Sequence, residues 1–217
     1  MEELKIPFGQ GALSASLHGS GPTVVVLGHG AGGTRRIPFL LRMAEALAAS
    51  GRRTLLYNFA YTEERRRSPD APERLEAATQ AVGAHAREAL GAARLVHGGK
   101  SMGGRIASQV VAKGAPADGL VFFGYPLHAP GRPEVLRDRH LPAVAAPMLF
   151  LQGTRDSFAR WDLIESVAAR LGERATLHRL EGADHSFGVL KRSGRTSAQV
   201  EAEIVETLLT WLKTHGL

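Results

Sequence analysis

A serine lies at the centre of the segment Gly99-Lys100-Ser101-Met102-Gly103, which has the spacing G-x-S-x-G. Leu95 and Val96 before it favour a strand, and residues 106–112 after it follow a helical pattern. A serine on such a tight strand-to-helix turn adopts a strained backbone, so its neighbours two residues away must be glycine. The pattern indicates a nucleophile elbow, in which the hydroxyl of Ser101 attacks a carbonyl carbon.

A serine hydroxyl is a weak nucleophile and needs an adjacent base and an acid to orient that base. His185 can accept the proton through one ring nitrogen, while Asp156 holds the other nitrogen and stabilises the imidazolium. The N–H groups of Met102 and Ala31 are the expected donors to the oxyanion. The sequence therefore predicts the order serine, acid, histidine along the chain.

Other acids compete with Asp156 for this role. Asp184 is adjacent to His185 in sequence and would have difficulty reaching the ring nitrogen, and capping of a helix N-terminus explains Asp162. Asp156 itself has an alternative interpretation as an ordinary turn residue after Gly153 and Thr154.

We expect a second set of residues to line the pocket around the serine: His29, Gly32, Lys100, Tyr125, His128 and Phe187. His29 also has an interpretation as a residue that shapes its loop. Lys100 and Arg105 flank the serine, and we interpret their charges as solvated surface charges. Selection of an acidic substrate is the alternative for this pair.

Two nucleotide-binding motifs are matched only in part. A P-loop ending in Gly99-Lys100-Ser101 would need glycine at Arg94. The loop from Gly28 to Gly33 matches G-x-G-x-x-G, but the next strand ends in Tyr57-Asn58-Phe59 without the required acidic residue. The nine histidines are dispersed and cysteine is absent, so we predict no metal and no cofactor.

Predicted strands and helices alternate along the chain. The strands are 4–8, 12–18, 23–27, 54–59, 95–98, 119–125, 148–152 and 176–180, and the helices are 39–49, 72–90, 106–112, 161–171 and 198–213. We predict a polar loop over 61–72 and a connection over 128–146 with a short helix at 133–140. This alternation favours one α/β domain over residues 1–217, with a mainly parallel sheet covered by helices on both faces. The candidate residues follow its strands and would meet at the carboxyl edge.

Composition limits the possible partners. The chain has 217 residues and a formal net charge of +6, carried mostly by scattered arginines without the aromatic interleaving of a nucleic-acid surface. The acidic N-terminus and the lack of a long apolar run predict neither a secretory signal nor a membrane span. We expect a cytoplasmic monomer or homodimer that binds a small-molecule ester and no nucleic acid.

The elbow, the His29-Gly30 loop, Asp156 and His185 together resemble the α/β-hydrolase superfamily. The segments 98–105 and 151–156 are similar to those of a small group of predicted hydrolases related to the dienelactone hydrolases. This resemblance implies an eight-stranded sheet. The strands 4–8 and 12–18, joined by Gly9-Gln10-Gly11, by themselves predict an N-terminal antiparallel hairpin. Only about twenty residues separate 127 from 147, where larger relatives insert a lid, so no large lid is expected.

The resemblance implies a serine hydrolase that acts on esters, of the carboxylesterase or thioesterase type. Dienelactone hydrolases use a cysteine nucleophile where this chain has Ser101, so their substrate cannot be transferred. The alternative is a non-catalytic interaction protein on the same fold, because a fold alone does not establish an activity.

Overall fold

The computed structural model describes all 217 residues, and eight strands form one sheet. The strands are β1 (Glu2–Phe8), β2 (Gly11–His18), β3 (Thr23–Gly28), β4 (Arg53–Tyr57), β5 (Arg94–Lys100), β6 (Gly119–Phe123), β7 (Met148–Gly153) and β8 (Ala175–Leu180). All eight predicted strands are therefore confirmed, with shifts of one or two residues at most ends.

The order of strands across the sheet is β1-β2-β4-β3-β5-β6-β7-β8. β1 and β2 form the predicted antiparallel hairpin, and β2 is also antiparallel to β4. The six strands from β4 to β8 are parallel to one another. The chain reverses its direction of travel across the sheet between β3 and β5, which creates a crevice at their carboxyl ends.

Six α-helices surround the sheet: α1 (Pro38–Ala49), α2 (Ala60–Glu63), α3 (Pro72–Glu88), α4 (Met102–Ala112), α5 (Trp161–Leu171) and α6 (Ser197–Thr214). Helices α1 and α6 cover one face, and α3, α4 and α5 cover the other. β3 is buried on both sides because Val25 and Leu27 face α1 and α6, whereas Val24 and Val26 face α3 and α4. This explains its uninterrupted apolar sequence.

Two expectations about connections are wrong. The predicted loop over 61–72 begins within α2, a single helical turn at Ala60–Glu63. The predicted helix at 133–140 is absent, and a short 3₁₀ turn at Leu141–Ala143 follows in its place. The N–H of Arg137 donates to the carbonyl of Leu127, and the hydroxyl of Tyr125 donates to the carbonyl of Arg137, each over 2.7 Å. These contacts occupy backbone groups that a helix would use.

The connection from β6 to β7 contains only that 3₁₀ turn, so the expectation of no large lid is confirmed. None of the helices combines the length and the apolarity that crossing a lipid bilayer requires. The carboxyl edge of the sheet is therefore bordered by loops, and these loops hold the residues singled out from the sequence.

Candidate active site

Four loops bring the candidate residues to the carboxyl edge of the sheet. Ser101 directly follows β5, and Ala31 lies three residues beyond β3, the adjacent strand. Asp156 and His185 lie in the loops after β7 and β8. The serine and the Ala31 loop thus lie at the crevice where the chain reverses direction across the sheet.

Ser101 occupies a strained backbone conformation between β5 and α4, with φ 51° and ψ −115°. The turn is possible because glycines on both sides allow β5, α4 and β3 to approach closely. A Cβ on Gly99 or on Gly103 would lie 2.2 Å from the carbonyl oxygen of Gly28. The steric reason for the G-x-S-x-G spacing is therefore present in the fold, and it holds the serine at the N-terminus of α4.

Ser101, His185 and Asp156 are joined by two hydrogen bonds. The Nε2 atom of His185 lies 2.8 Å from Oγ of Ser101, and its Nδ1 atom lies 2.7 Å from Oδ2 of Asp156. Because a carboxylate can only accept, Nδ1 carries the ring proton and Nε2 is free to accept the serine proton. The histidine side chain is 18% exposed and the aspartate side chain is fully buried. The structure therefore brings together the three residues predicted from the sequence.

Three donors surround the carboxylate of Asp156. Besides His185, the side-chain amide of Gln152 donates to Oδ2 over 2.6 Å and the N–H of Phe158 donates to Oδ1 over 2.7 Å. Gln152 is itself fixed, since its Oε1 accepts from the backbone N–H of Tyr125. These bonds compensate the carboxylate for its burial and set its orientation towards the imidazole. The turn interpretation of Asp156 also holds, because the bond to Phe158 stabilises the turn.

The rival acids have other partners. Oδ1 of Asp184 accepts from the N–H groups of Ser186 and Gly188, so its carboxylate stabilises the turn that holds His185. Asp162 is exposed in the first turn of α5, where it pairs with Arg160. Neither carboxylate contacts the ring of His185.

The two expected oxyanion donors have free N–H groups. Met102 is the first residue of α4, and its N–H has no acceptor within the protein, as is usual for the first turn of a helix. The N–H of Ala31 also has no partner, and this residue is exposed in the loop after β3. The positive end of the α4 dipole lies at the serine and would favour an anion there.

A groove of about 340 Å³ opens above the serine. It is lined by Gly30, Ala31, Gly33, Ile37, Lys100, Ser101, Phe158, His185 and Ser186. Its wall therefore combines apolar and polar groups, with the backbone of the Ala31 loop on one side and the His185 loop on the other. No group of three or more histidine or acidic side chains is placed to hold a metal ion.

His29 lies beneath this groove, and it does not line it as expected. Its ring is fully buried, where Nε2 accepts from the N–H of Phe59 over 3.2 Å and Nδ1 donates to the carbonyl of Gly30 over 2.8 Å. Burial lowers the pKa of His29 to about 4, so the ring stays neutral. Its role is to shape the loop that holds Ala31, the alternative foreseen for it.

Four other expected lining residues also lie elsewhere. Tyr125, His128 and Phe187 are buried, and their side chains contact the interior of the protein and not the groove. Nε2 of His128 accepts from the N–H of Arg160, which stabilises the loop after β7. Gly32 faces a separate cavity on the other side of the Ala31 loop.

Lys100 lines the groove, but its charge is not solvated as we expected. The ammonium group donates to the backbone carbonyl of His185 over 2.5 Å and lies 4.8 Å from the centre of the Phe187 ring. A Cβ on Gly124 would lie 3.1 Å from this ammonium nitrogen and 3.4 Å from Nδ1 of His185, so the cation lies beside the hydrogen-bonded pair. Burial lowers the pKa of Lys100 to about 8, and the nearby carboxylate of Asp156 opposes that shift.

Sequence reasoning missed three residues that build the site. The ring of Phe158 lies 4.3 Å from the imidazole of His185, centre to centre. Gly124 has φ 69°, and it leaves space for the pair formed by His185 and Asp156. Gln152 fixes the carboxylate. Only Gln152 gave a signal, as a polar residue at the end of an apolar strand.

Comparisons with known proteins agree with this geometry. Residues 21–213 match the model of the alpha/beta hydrolase domain family. Three solved structures share the fold at low sequence identity. An alpha-beta serine hydrolase homologue from Coxiella burnetii is 18% identical with a TM-score of 0.77, and the alignment covers 97% of each chain. A dienelactone hydrolase from Anabaena variabilis is 21% identical with a TM-score of 0.72, over 98% of this chain and 97% of that one.

The third structure is a serine hydrolase without a lid from Xanthomonas campestris. It is 19% identical with a TM-score of 0.76, and the alignment covers 97% of this chain and 94% of that one. The family match extends over most of the sequence, and the eight-stranded sheet and the elbow at Ser101 have the arrangement that the resemblance implied. The chain therefore belongs to the alpha/beta hydrolase family.

Proposed function

We propose that this protein is a serine hydrolase that cleaves a carboxylic ester or thioester through an acyl-enzyme. The observation that carries the proposal is the unbroken series of hydrogen bonds from Ser101 through His185 to Asp156. It is the arrangement that converts an unreactive hydroxyl into a nucleophile.

The first step forms the acyl-enzyme. Oγ of Ser101 attacks the carbonyl carbon of the substrate while its proton moves to Nε2 of His185. The resulting imidazolium is stabilised by the buried carboxylate of Asp156, which Gln152 and Phe158 hold in place by donating to it. The carbonyl oxygen becomes an oxyanion and needs donors of its own.

The free N–H groups of Met102 and Ala31 supply those donors. One preorganised donor of this kind is typically worth a factor of about 10²–10³ in rate. The tetrahedral intermediate then collapses, and the proton on Nε2 of His185 passes to the leaving alcohol or thiol. A water molecule next gives its proton to the same nitrogen and attacks the acyl carbon. Collapse of the second intermediate returns the proton to Ser101 and releases the acid.

The groove favours a small acyl group. Its volume of about 340 Å³ suits a ligand at the lower end of the range for small molecules. Because the connection from β6 to β7 contributes no large lid, the groove is open and would admit a soluble, accessible ester. Cleavage of short activated esters, with little activity on long acyl chains, is the expected profile.

Labelling with a fluorophosphonate tests the proposed nucleophile. We expect one adduct, on Ser101, in the folded protein, and none in the Ser101→Ala variant. The same variant is the control for hydrolysis of p-nitrophenyl acetate. Activity should decrease on acidification, because a protonated imidazole cannot accept the serine proton. Folded protein that takes up no label and hydrolyses no ester would favour the non-catalytic interaction protein.

A further inference from the structure

A second cavity lies on the other side of the loop that holds Ala31. Its volume is about 460 Å³, and it is lined by Gly32, Gly33, Thr34, Tyr61, Thr62, Arg65, Arg66 and Arg67. We call it the arginine cavity. Gly33 also lines the groove above Ser101, so the two cavities meet at this loop. A ligand that lies across the loop would therefore reach both.

The positive charges around the arginine cavity are only partly neutralised. Arg66 pairs with the carboxylates of Glu64 and Asp70, and Arg74 pairs with the same two carboxylates. Arg65 and Arg67 have no acceptor for their guanidinium groups, whereas most arginines of this chain bond to a carboxylate, an amide or hydroxyl oxygen, or a carbonyl oxygen. Two free guanidinium groups therefore remain at the cavity.

The turn that positions these arginines is well fixed. The N–H of Arg66 donates to the carbonyl of Tyr61 over 2.8 Å and that of Arg65 donates to the carbonyl of Thr62 over 3.1 Å, which together form a Schellman motif at the end of α2. The N–H of Tyr61 donates to Asp70, whose side chain is 3% exposed. The hydroxyl of Tyr61 accepts from the N–H of Gly32 over 3.2 Å. The arginine turn and the Ala31 loop thus form one connected unit.

Arg65 stands where a helix end of this type favours glycine. Its φ is 57°, in the left-handed region, where a residue with a side chain is strained. A strained residue at the edge of a cavity suggests a function, because the strain must be offset by the rest of the fold. Here the strained residue supplies one of the two free guanidinium groups.

We propose that the arginine cavity binds a carboxylate or phosphate on the substrate while the scissile carbonyl lies at Ser101. The inference rests on the proposed function, and it makes the substrate an ester or thioester with an anionic group. Guanidinium groups match the planar, bidentate geometry of carboxylate and phosphate oxygens. The anion belongs either to the acyl group or to the leaving group, and both arrangements place it across the Ala31 loop.

The test compares pairs of substrates that differ by one anionic group. One pair is p-nitrophenyl butyrate and p-nitrophenyl hemisuccinate, which places the charge on the acyl side. The other pair is S-acetylpantetheine and S-acetyl-4′-phosphopantetheine, which places it on the leaving group. For each pair the measured quantity is the ratio of kcat/KM for the charged substrate to that for the neutral one, at low and at high salt.

We expect the Arg65→Gly and Arg67→Gln double variant to lower this ratio by about tenfold or more in one of the pairs, mainly through KM. Because glycine suits the left-handed position, Arg65→Gly should fold at least as stably as the unaltered chain. Arg139→Gln is the matched control, since Arg139 is exposed and does not line the cavity, and it should leave the ratio unchanged. High salt should reduce the preference for the charged substrate.

The outcomes separate this inference from the proposed function. A lower ratio in the first pair assigns the anion to the acyl group, and a lower ratio in the second assigns it to the leaving group. If the neutral substrates are hydrolysed and neither ratio changes in the double variant, the anion site is overturned and the hydrolase stands. If Ser101 takes up no fluorophosphonate and no substrate is cleaved, the proposed function fails.

Discussion

Asp156 shows how one residue combines a structural and a chemical role. Its carboxylate accepts from a turn N–H, from the amide of Gln152 and from His185, so both oxygens are bonded although the side chain is buried. A charge in such a position is tolerated only when it is fully hydrogen-bonded. One carboxylate therefore serves both roles: the bond from Phe158 stabilises the turn, and the bond from His185 fixes the tautomer of the imidazole.

Asp156→Asn should leave the fold intact and reduce kcat by roughly 10⁴-fold. An amide at this position can donate to Nδ1 of His185, which would place the ring proton on Nε2, where it cannot accept the serine proton. Steady-state hydrolysis of p-nitrophenyl acetate together with a thermal unfolding curve measures both effects. Asp184→Asn is the comparison: it should weaken the turn that holds His185 with a much smaller loss of kcat. Equal losses in the two variants would contradict the assignment of Asp156.

The lowered pKa of Lys100 predicts how the free energy of unfolding changes at alkaline pH. Burial lowers its pKa to about 8, and the groups that face it are Asp156, Asp184 and the His185 backbone. Below pH 8 the folded and unfolded chains both hold the proton, so the cost of burying the charge is fully present. Between pH 8 and 10.5 only the unfolded chain holds it, so the free energy of unfolding should rise with pH by about 1–3 kcal/mol relative to Lys100→Met.

Urea unfolding of the unaltered protein and of Lys100→Met, at intervals from pH 7.5 to 10.5, measures this difference directly. The Lys100→Met variant should also hydrolyse esters more slowly, because the loop of His185 loses its ammonium donor. A constant difference in unfolding free energy across the range would show that Lys100 keeps the protonation behaviour of an exposed lysine.

At the scale of elements, the site depends on three backbones that meet without side chains between them. β3, β5 and α4 approach at Gly28, Gly99 and Gly103. The strand before the turn sets where the serine lies, and the helix after it sets which N–H faces the substrate. The reactivity of Ser101 therefore depends on how closely these three elements pack.

Gly103→Ala should lower the free energy of unfolding by on the order of 3 kcal/mol and abolish fluorophosphonate labelling. The added Cβ would lie 2.2 Å from the carbonyl oxygen of Gly28, so α4 must move away from β3 and the serine must move with it. Gly11→Ala is the matched control, because a Cβ at this exposed strand position meets nothing within 4 Å. Normal labelling in Gly103→Ala would mean that the turn tolerates the shift.

The strands could be predicted from the sequence because the residue patterns that indicate a strand are local. β3, β6 and β7 contain continuous apolar runs, and α5 is predicted with its observed bounds, Trp161–Leu171. The predicted helix at 133–140 failed because long-range bonds to Leu127 and Tyr125 determine that segment. Those bonds join residues at least ten positions apart, so no local sequence pattern predicts them.

The candidate site was predictable to a similar extent. Ser101, Asp156 and His185 could be predicted because each follows a strand and because they occur in the order serine, acid, histidine. The carboxyl ends of parallel strands lie at one edge of the sheet, so these residues come close together. Burial of Tyr125 and His128, and the inward direction of Lys100, could not be read from the sequence, because they depend on which loop covers which side chain. The place of Phe158 against His185 depends on the path of the loop after β7.

At the scale of the whole molecule, burial of ionisable groups links stability to pH at both ends of the range. The ionisation of Lys100 affects stability above pH 8, and that of four histidines affects it below neutrality. Burial lowers the pKa of His18. Burial lowers the pKa of His29, His97 and His140 to about 4 each, with a further contribution from Arg87 at His97 and from Arg105 at His140. These rings are neutral in the fold and take up protons when the chain unfolds.

The free energy of unfolding should therefore decrease as the pH falls from 6.5 to 4.5. In this window the histidines with a lowered pKa bind protons in the unfolded chain and not in the folded chain, and the slope equals 2.303RT times that difference in bound protons. We expect a difference of roughly two to three protons. Carboxylates whose pKa the fold lowers, such as that of Glu64 beside Arg74, begin to add to this difference as the pH approaches their ordinary value of 4.5, so the slope between pH 6.5 and 5.5 reports mainly the histidines. Urea unfolding in steps of half a pH unit gives the slope.

His97→Gln is the variant that identifies the source of this slope. His97 is buried against Gly83, and glutamine removes its titration while keeping a polar side chain there. The variant should lose about one proton from the difference between pH 6.5 and 4.5, whatever its stability at neutral pH. Because the comparison uses a slope, a general loss of stability does not imitate the effect. An unchanged slope would mean that His97 is protonated in the folded state, and the acid lability would then have to originate from other groups.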